Sequence, residues 1–242
     1  MPAEGEKAHF TPSTGRRVFF MSKTERAVLF ANGEAKSRAA LALQGDDFLV
    51  AVDGGLHHLH ALGLNPQLLI GDMDSLTTQE VEACRQAGVE VLRFPTAKNK
   101  TDLELALDEV LQHGYREIVI AFALGGRLDQ TLGNLALLSR PDLGDCSVRI
   151  DDGLTEVTLL RHTITLACQP GDTVSLLPWG GEAGGVVTHG LEYALEGETL
   201  LPWQTRGISN RCTGECFSVS LEHGALLLIH SRQIKIMEVQ HD

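Results

Sequence analysis

Five short stretches of this sequence hold residue types that could do chemistry together. They are Ala31-Asn32-Gly33-Glu34, Asp53-Gly54-Gly55, Gly71-Asp72-Met73-Asp74-Ser75, Lys98-Asn99-Lys100-Thr101-Asp102 and Gly125-Gly126-Arg127-Leu128-Asp129-Gln130. Asp72 and Asp74 flank Met73 and, in an extended stretch, point to one face because side chains alternate with period two. Two converging carboxylates suit magnesium held jointly with phosphates and water, whereas zinc favours His and Cys. The other reading is a polar turn, since Gly and Asp are turn formers on conformational grounds alone. Asp102 has a similar double meaning, because an acid in the first turn of a helix interacts favourably with its dipole. For Asp53, Gly54 and Gly55 could simply permit a sharp strand-to-helix turn. Gly125-Gly126-Arg127 opens a helix whose Leu128, Leu132, Leu135 and Leu138 are expected to face a sheet. Such a glycine-rich helix start, with an Arg fork beside it, matches phosphate oxygens. The chain contains no G-x-x-x-x-G-K-[ST] and no G-x-G-x-x-G, so neither a P-loop nor a dinucleotide fingerprint supplies phosphate binding.

What unites these stretches is that each follows a short β-rich apolar run. The runs are Ala27–Phe30, Phe48–Val52, Leu68–Ile70, Val89–Leu92, Ile118–Ala121 and Ser147–Ile150. Segments of helical period lie between them, near 34–44, 55–62, 77–87, 102–113 and 128–139. Alternation of this kind builds βαβ units and a parallel sheet, whose ligands bind beyond the carboxyl ends of its strands. The clearest helix starts at Thr101, where Thr101 and Glu104 spell a capping box and Leu103, Leu107, Val110 and Leu111 share a face.

After Asp151 the texture changes to short runs broken by Gly and Pro: Val157–Leu160, Thr163–Ala167, Thr173–Leu177, Phe217–Leu221, Leu226–Ile229 and Ile234–Val239. No helix-length periodic segment appears there. The expected architecture is an N-terminal parallel-sheet, Rossmann-like α/β domain over 26–152, then a smaller all-β sandwich over 153–242, with 1–25 as an N-terminal extension. Loops of the second domain, around Gly180–Gly185 and Glu196–Trp203, are expected to carry specificity.

Composition narrows the function class. The formal net charge of -12 disfavours nucleic acid and anionic membrane surfaces as partners. The longest apolar stretches fall far short of a spanning helix, and the run Val18–Met21 is too short for a secretory signal core, so a cytoplasmic address is expected. Five scattered cysteines, Cys84, Cys146, Cys168, Cys212 and Cys216, read as reduced thiols and not as a disulfide framework. His57, His58 and His60 read as a solvent-facing cluster before they read as a metal site.

In order and spacing, the assembled motifs resemble the thiamine pyrophosphokinase family from about residue 27 to 230. The resemblance rests on Asp53-Gly54-Gly55 through Pro66 to Gly71-Asp72-Met73-Asp74-Ser75, on Thr101-Asp102 and on Gly126-Arg127-Leu128-Asp129. In the second domain it rests on Gly190-Leu191-Glu192-Tyr193 and Gly207-Ile208-Ser209-Asn210. It implies a homodimer that transfers the diphosphate of ATP to thiamine with magnesium, with thiamine near the subunit interface. It implies Asp53, Asp72, Asp74, Asp102 and Arg127 as catalytic residues, with Asp72, Asp74 and Asp102 on the metal. Asn32, Lys98, Lys100, Arg127, Asp129 and Gln130 are then the ATP-binding residues, and Ser75, Tyr193, Ser209 and Asn210 the thiamine-binding ones, Tyr193 by stacking. Gln130 stands where many bacterial members have His, and Asn99 where many have Asp. Gln hydrogen-bonds but does not titrate, so position 130 holds no acid or base. The rival readings are a pyrophosphokinase acting on a hydroxymethyl pterin and a catalytically silent nucleotide sensor on the same scaffold.

Overall fold

The computed structural model describes residues 26–233. The extension 1–25 and the run Ile234–Val239 lie outside the described residues. In the first part, β1 (Arg26–Phe30), β2 (Phe48–Val52), β3 (Leu68–Gly71), β4 (Glu90–Arg93), β5 (Glu117–Ala121) and β6 (Ser147–Asp151) form a parallel sheet in the order β4-β3-β2-β1-β5-β6. Strand β1 is buried along its whole length, as befits a strand covered on both faces. Alternate residues serve opposite cores. Ala27 and Leu29 join one cluster with Leu103, Leu107 and Val110, while Val28 and Phe30 join another with Leu56, Leu59 and Val81.

Helices α1 (Leu56–Ala61) and α2 (Thr78–Gln86) therefore cover one face, and α3 (Asp102–Gln112) and α4 (Leu128–Leu137) the other. In α3 the buried set is Leu103, Ala106, Leu107 and Val110, spaced i, i+3, i+4, i+7. Burying each leucine contributes roughly 1.5–3 kcal/mol. The Thr101 hydroxyl caps α3 by accepting the Glu104 amide at 3.2 Å. The Glu104 carboxylate turns instead to Lys100, 3.5 Å away. A complete capping box occurs at α2, between Thr77 and Glu80.

Besides that misplaced box, expectations for two segments fail in this part. Only a 3-10 turn, Arg38–Ala40, occupies the segment expected to be helical near 34–44. Its backbone is used elsewhere: the Glu34 amide donates to the Leu124 carbonyl, and the Ser37 amide to that of Asp152. The second failure concerns α4. Leu128 and Leu132 are 72% and 50% exposed, and the helix turns Asn134 inward, with Leu138 buried just past its end. The Asn134 amide donates to the Ala123 carbonyl at 2.8 Å, which fixes that rotation.

Beyond β6 the chain is all-β among the described residues. Strands β7 (Thr155–Leu160), β8 (Ile164–Ala167), β9 (Thr173–Pro178), β10 (Ala183–His189), β11 (Glu196–Leu200), β12 (Asn210–Arg211), β13 (Cys216–Ser220) and β14 (Leu226–Ser231) follow in order. They form a sandwich, but one of its layers is not separate. Strand β7 pairs antiparallel with β6, so β12-β9-β14-β7 extends the parallel sheet into a ten-stranded one. The facing layer is β11-β10-β13-β8. Phe217, Val219, Leu176 and Leu228 fill the space between the layers. A buried pair, His230 Nε2 and Asp172 Oδ2 at 3.0 Å, ties β14 to the turn before β9. The segments expected to be loops near 180–185 and 196–203 largely become β10 and β11. Their Gly-rich start and acidic composition hide the strand pattern.

Candidate active site

Strand order reverses at β1, which has β2 on one side and β5 on the other, so the crevice past β1 and β5 is the natural ligand position. A cavity of about 580 Å³ opens there. Asn32, Asp53, Asp74, Ser75, Asp102, Arg127 and Gln130 line it, so seven of the residues singled out in the sequence meet at one place.

Asp53 and Asp102 belong to a closer cluster with Asp72, behind the lining, in which each offers a carboxylate oxygen within 4.8 Å of the others. Asp53 follows β2, Asp72 follows β3 and Asp102 opens α3. Gly71 makes the approach possible: its φ is 148°, and a Cβ there would sit 1.9 Å from Asp53 Oδ1. The same Oδ1 accepts the Met73 amide at 3.0 Å. Burial pushes the Asp53 carboxyl up to about 7; the Met73 hydrogen bond opposes this, and the charges of Asp102 and Asp72 add to it. Burial also acts to raise Asp72, yet the Asp74 amide, the Lys98 charge and the Thr96 hydroxyl outweigh it and hold Asp72 below its ordinary value. Lys98 Nζ lies 2.8 Å from Asp102 Oδ1 and 3.7 Å from Asp72 Oδ2. Burial depresses the Lys98 ammonium, but these carboxylates more than compensate and raise it. Three acids against one ammonium leave an excess of negative oxygen, which fits a hard divalent cation.

Asp74 stands apart from this trio. Met73 has φ of 67°, so the stretch is not extended and Asp72 and Asp74 do not share a face. The Asp74 amide donates to Asp72 Oδ1 at 3.0 Å, while its exposed carboxylate accepts from the Ser75 hydroxyl at 3.1 Å on the cavity rim.

On the opposite wall, Gly125 and Gly126 turn the chain with φ of 81° and 66° into α4. Arg127 there forms a bidentate pair with Asp129, Nε to Oδ1 at 3.1 Å and Nη2 to Oδ2 at 2.6 Å. Both are exposed, so the fork is weakly committed and open to exchange with a phosphate. That pairing raises Arg127 and lowers Asp129 from their ordinary values. Lys100 points elsewhere, bonding Asp108 at 2.6 Å on the flank of α3.

The remaining predicted residues gather in the β-sandwich. Tyr193, Leu195, Arg206, Gly207, Ile208 and Asn210 line a cavity of about 360 Å³. Asn210 is buried and spent on backbone: Oδ1 accepts the Tyr193 amide at 2.9 Å, and Nδ2 donates to the Tyr193 carbonyl at 2.7 Å. Its side chain thus presents Tyr193, which is 58% exposed. Ser209, at φ of 59°, is held by the Ser175 hydroxyl through its amide at 3.0 Å.

Sequence reasoning passed over Asn134, which lines the main cavity one helical turn after Gln130. The signal was there: a polar residue at i+4 from another site residue, on a helix taken as apolar inward.

Comparison with known proteins points to one family. Residues 39–162 match the family model described as thiamin pyrophosphokinase, catalytic domain, and residues 161–226 the one described as thiamin pyrophosphokinase, vitamin B1 binding domain. A thiamine pyrophosphokinase of Bacillus subtilis (strain 168) is 27% identical over 192 residues, 75% of this chain and 86% of that protein. A crystal structure of thiamine pyrophosphokinase from Bacillus subtilis superposes with a TM-score of 0.77 at 25% identity, covering 87% of this chain and all of the other. The thiamin pyrophosphokinase structure from Geobacillus thermodenitrificans gives 0.75 at 26% identity, covering 88% and 99%. With both halves matched in order, and three acids gathered where the first half's strands end, the chain belongs to the thiamin pyrophosphokinase family.

Proposed function

We propose that the cluster of Asp53, Asp72 and Asp102, with the cavity beside it, is the centre of diphosphate transfer, with magnesium as the ion and a homodimer as the working form. The reaction is that of the family: ATP gives its terminal diphosphate to thiamine, yielding thiamine diphosphate and AMP. The acid cluster carries the reading, because three carboxylates within 4.8 Å of one another, with a single ammonium beside them, offer the oxygen-rich, negatively charged donor set that a hard divalent cation takes. Magnesium bound there would neutralise phosphate charge and orient the diphosphate for displacement. Asp53, Asp72 and Asp102 would hold it, while Asp74 stays at the rim among the acids.

The chain's own groups do the rest. Asn32 and Gln130 line the cavity beside the glycine turns, and Arg127 exchanges Asp129 for phosphate oxygens. Lys98, at the edge of the acids, balances phosphate charge; Lys100, turned to Asp108, contributes by holding that loop against α3. The thiamine hydroxyl oxygen bonds to the β-phosphorus in line with the departing bridge oxygen, and AMP leaves. Ser75, which lines the same cavity beside Asp74, would contact thiamine there.

Tyr193 supplies the aromatic wall for thiamine; Asn210 braces its backbone and lines the same cavity, with Ser209 in the adjoining turn. Their cavity shares no lining residue with the acid cavity. A dimer resolves this, with Tyr193 of one protomer facing the acids of its partner across an interface that covers the exposed Leu128 and Leu132. The net charge of -12 disfavours a nucleic-acid partner, and the free thiols suit a reducing compartment, the cytoplasm. No helix among the described residues is long and apolar enough to cross a membrane.

The test is to supply ATP, magnesium and thiamine to Asp72→Ala and Asp102→Ala and to quantify AMP with thiamine diphosphate. Each variant should lose turnover by about three orders of magnitude or more while keeping its circular dichroism. Near-wild-type product from either would remove that residue from the centre.

A further inference from the structure

His58 is buried on α1 and not solvent-facing as the sequence suggests; it lies outside the cavity yet touches both loops that form the cavity's walls. Its Nε2 donates to the Gly33 carbonyl at 2.9 Å. In the neutral ring Nδ1 is then an acceptor, and Arg38 serves it with Nη2 at 2.9 Å and Nε at 3.2 Å. The ring also packs on Phe122, centroids 4.7 Å apart. Gly33 and Phe122 are themselves joined, since the Gly33 amide donates to the Phe122 carbonyl at 2.8 Å. A Cβ at Gly33 would lie 2.2 Å from that oxygen, so the two loops touch backbone to backbone. Phe122 has φ of 56°, a conformation that costs a non-glycine residue energy and persists where surroundings enforce it. Burial lowers the ring's proton affinity, in keeping with the neutral form.

From this geometry we infer that His58, held in one tautomer by Arg38, is a positioning residue that sets the spacing of the Asn32–Glu34 and Phe122–Gly126 loops and hence the affinity for ATP. The inference rests on the reading that ATP occupies the cavity between these loops. His58 touches no reacting atom, so its loss should act on ATP binding and spare thiamine.

His58→Leu removes the donor; His58→Gln keeps a nitrogen donor at similar reach. In the full-length protein, His58→Leu should raise the KM for ATP about five- to tenfold, with the KM for thiamine and kcat within about twofold. His58→Gln should return the KM for ATP to within about twofold of wild type. Arg38→Met, at an exposed position, should raise it about two- to fivefold, and answers the question if His58→Leu fails to fold. Asn32→Ala is measured alongside. A raised KM for ATP there, with none in the His58 and Arg38 variants, overturns the positioning role. An unchanged KM in Asn32→Ala overturns the cavity reading and the inference with it. Equal rises for both substrates, or Gln behaving like Leu, would show that His58 only supports the fold.

Discussion

Asp53 carries an unfavourable charge that the proposed ion would relieve. Its carboxyl sits at about 7 against an ordinary 3.8, so the folded protein holds a proton that the unfolded chain has released. The sign follows: this group's contribution to stability is complete below about pH 4 and is lost as pH rises through 7. Asp53→Asn should therefore stabilise the metal-free protein at pH 8, on the order of 2 kcal/mol, with little effect near pH 4. Thermal unfolding in chelator at both pH values checks this, and an Asn variant that melts below wild type at pH 8 refutes it. Magnesium should protect the wild-type protein against unfolding and release a proton on binding, while Asp53→Asn gains little protection. The acids could be found in the sequence because Asp53 and Asp72 closely follow apolar runs and Asp102 follows a helix cap. Which of them converge could not, because that depends on Met73 adopting a left-handed turn that neighbouring residue types do not announce.

Among elements, α3 shows how a helix end can be part of chemistry. Its first residue is Asp102, and the Thr101 cap holds that first turn. Thr101→Ala should cost about 1 kcal/mol, a fall in Tm of roughly 2–4 °C, while Thr101→Ser restores it. Because fraying displaces Asp102, activity at 25 °C should fall further than the folded fraction does. Equal losses would place the cap in stability alone. This helix was legible because its cap and its i, i+3, i+4, i+7 stripe agree. Helix α4 misled for the converse reason: four leucines suggest one inward face, but Asn134 occupies that face and leaves Leu128 and Leu132 outside. Strands β10 and β11 escaped notice because Ala183-Gly184-Gly185 and Glu196-Gly197-Glu198 have turn composition, and long-range pairing makes them strands.

For the whole molecule, the exposed leucines are a prediction about assembly. Replacing Leu128 and Leu132 together by Asp should shift sedimentation from dimer to monomer and lower turnover with thiamine, leaving the monomer folded. A dimer that survives both charges moves the interface elsewhere. The extent of the sheet could not be read locally, since apolar runs disclose strands but not that β6 pairs with β7. That pairing makes β6 common property: on one side it hydrogen-bonds β5, on the other β7. Among the described residues the two parts therefore meet along a hydrogen-bonded seam. A fragment ending at Asp152 would bare the β6 edge for pairing with other chains. The two halves, matched by separate family descriptions, are stitched into one sheet, so that parting them would trade a shared seam for an adhesive edge.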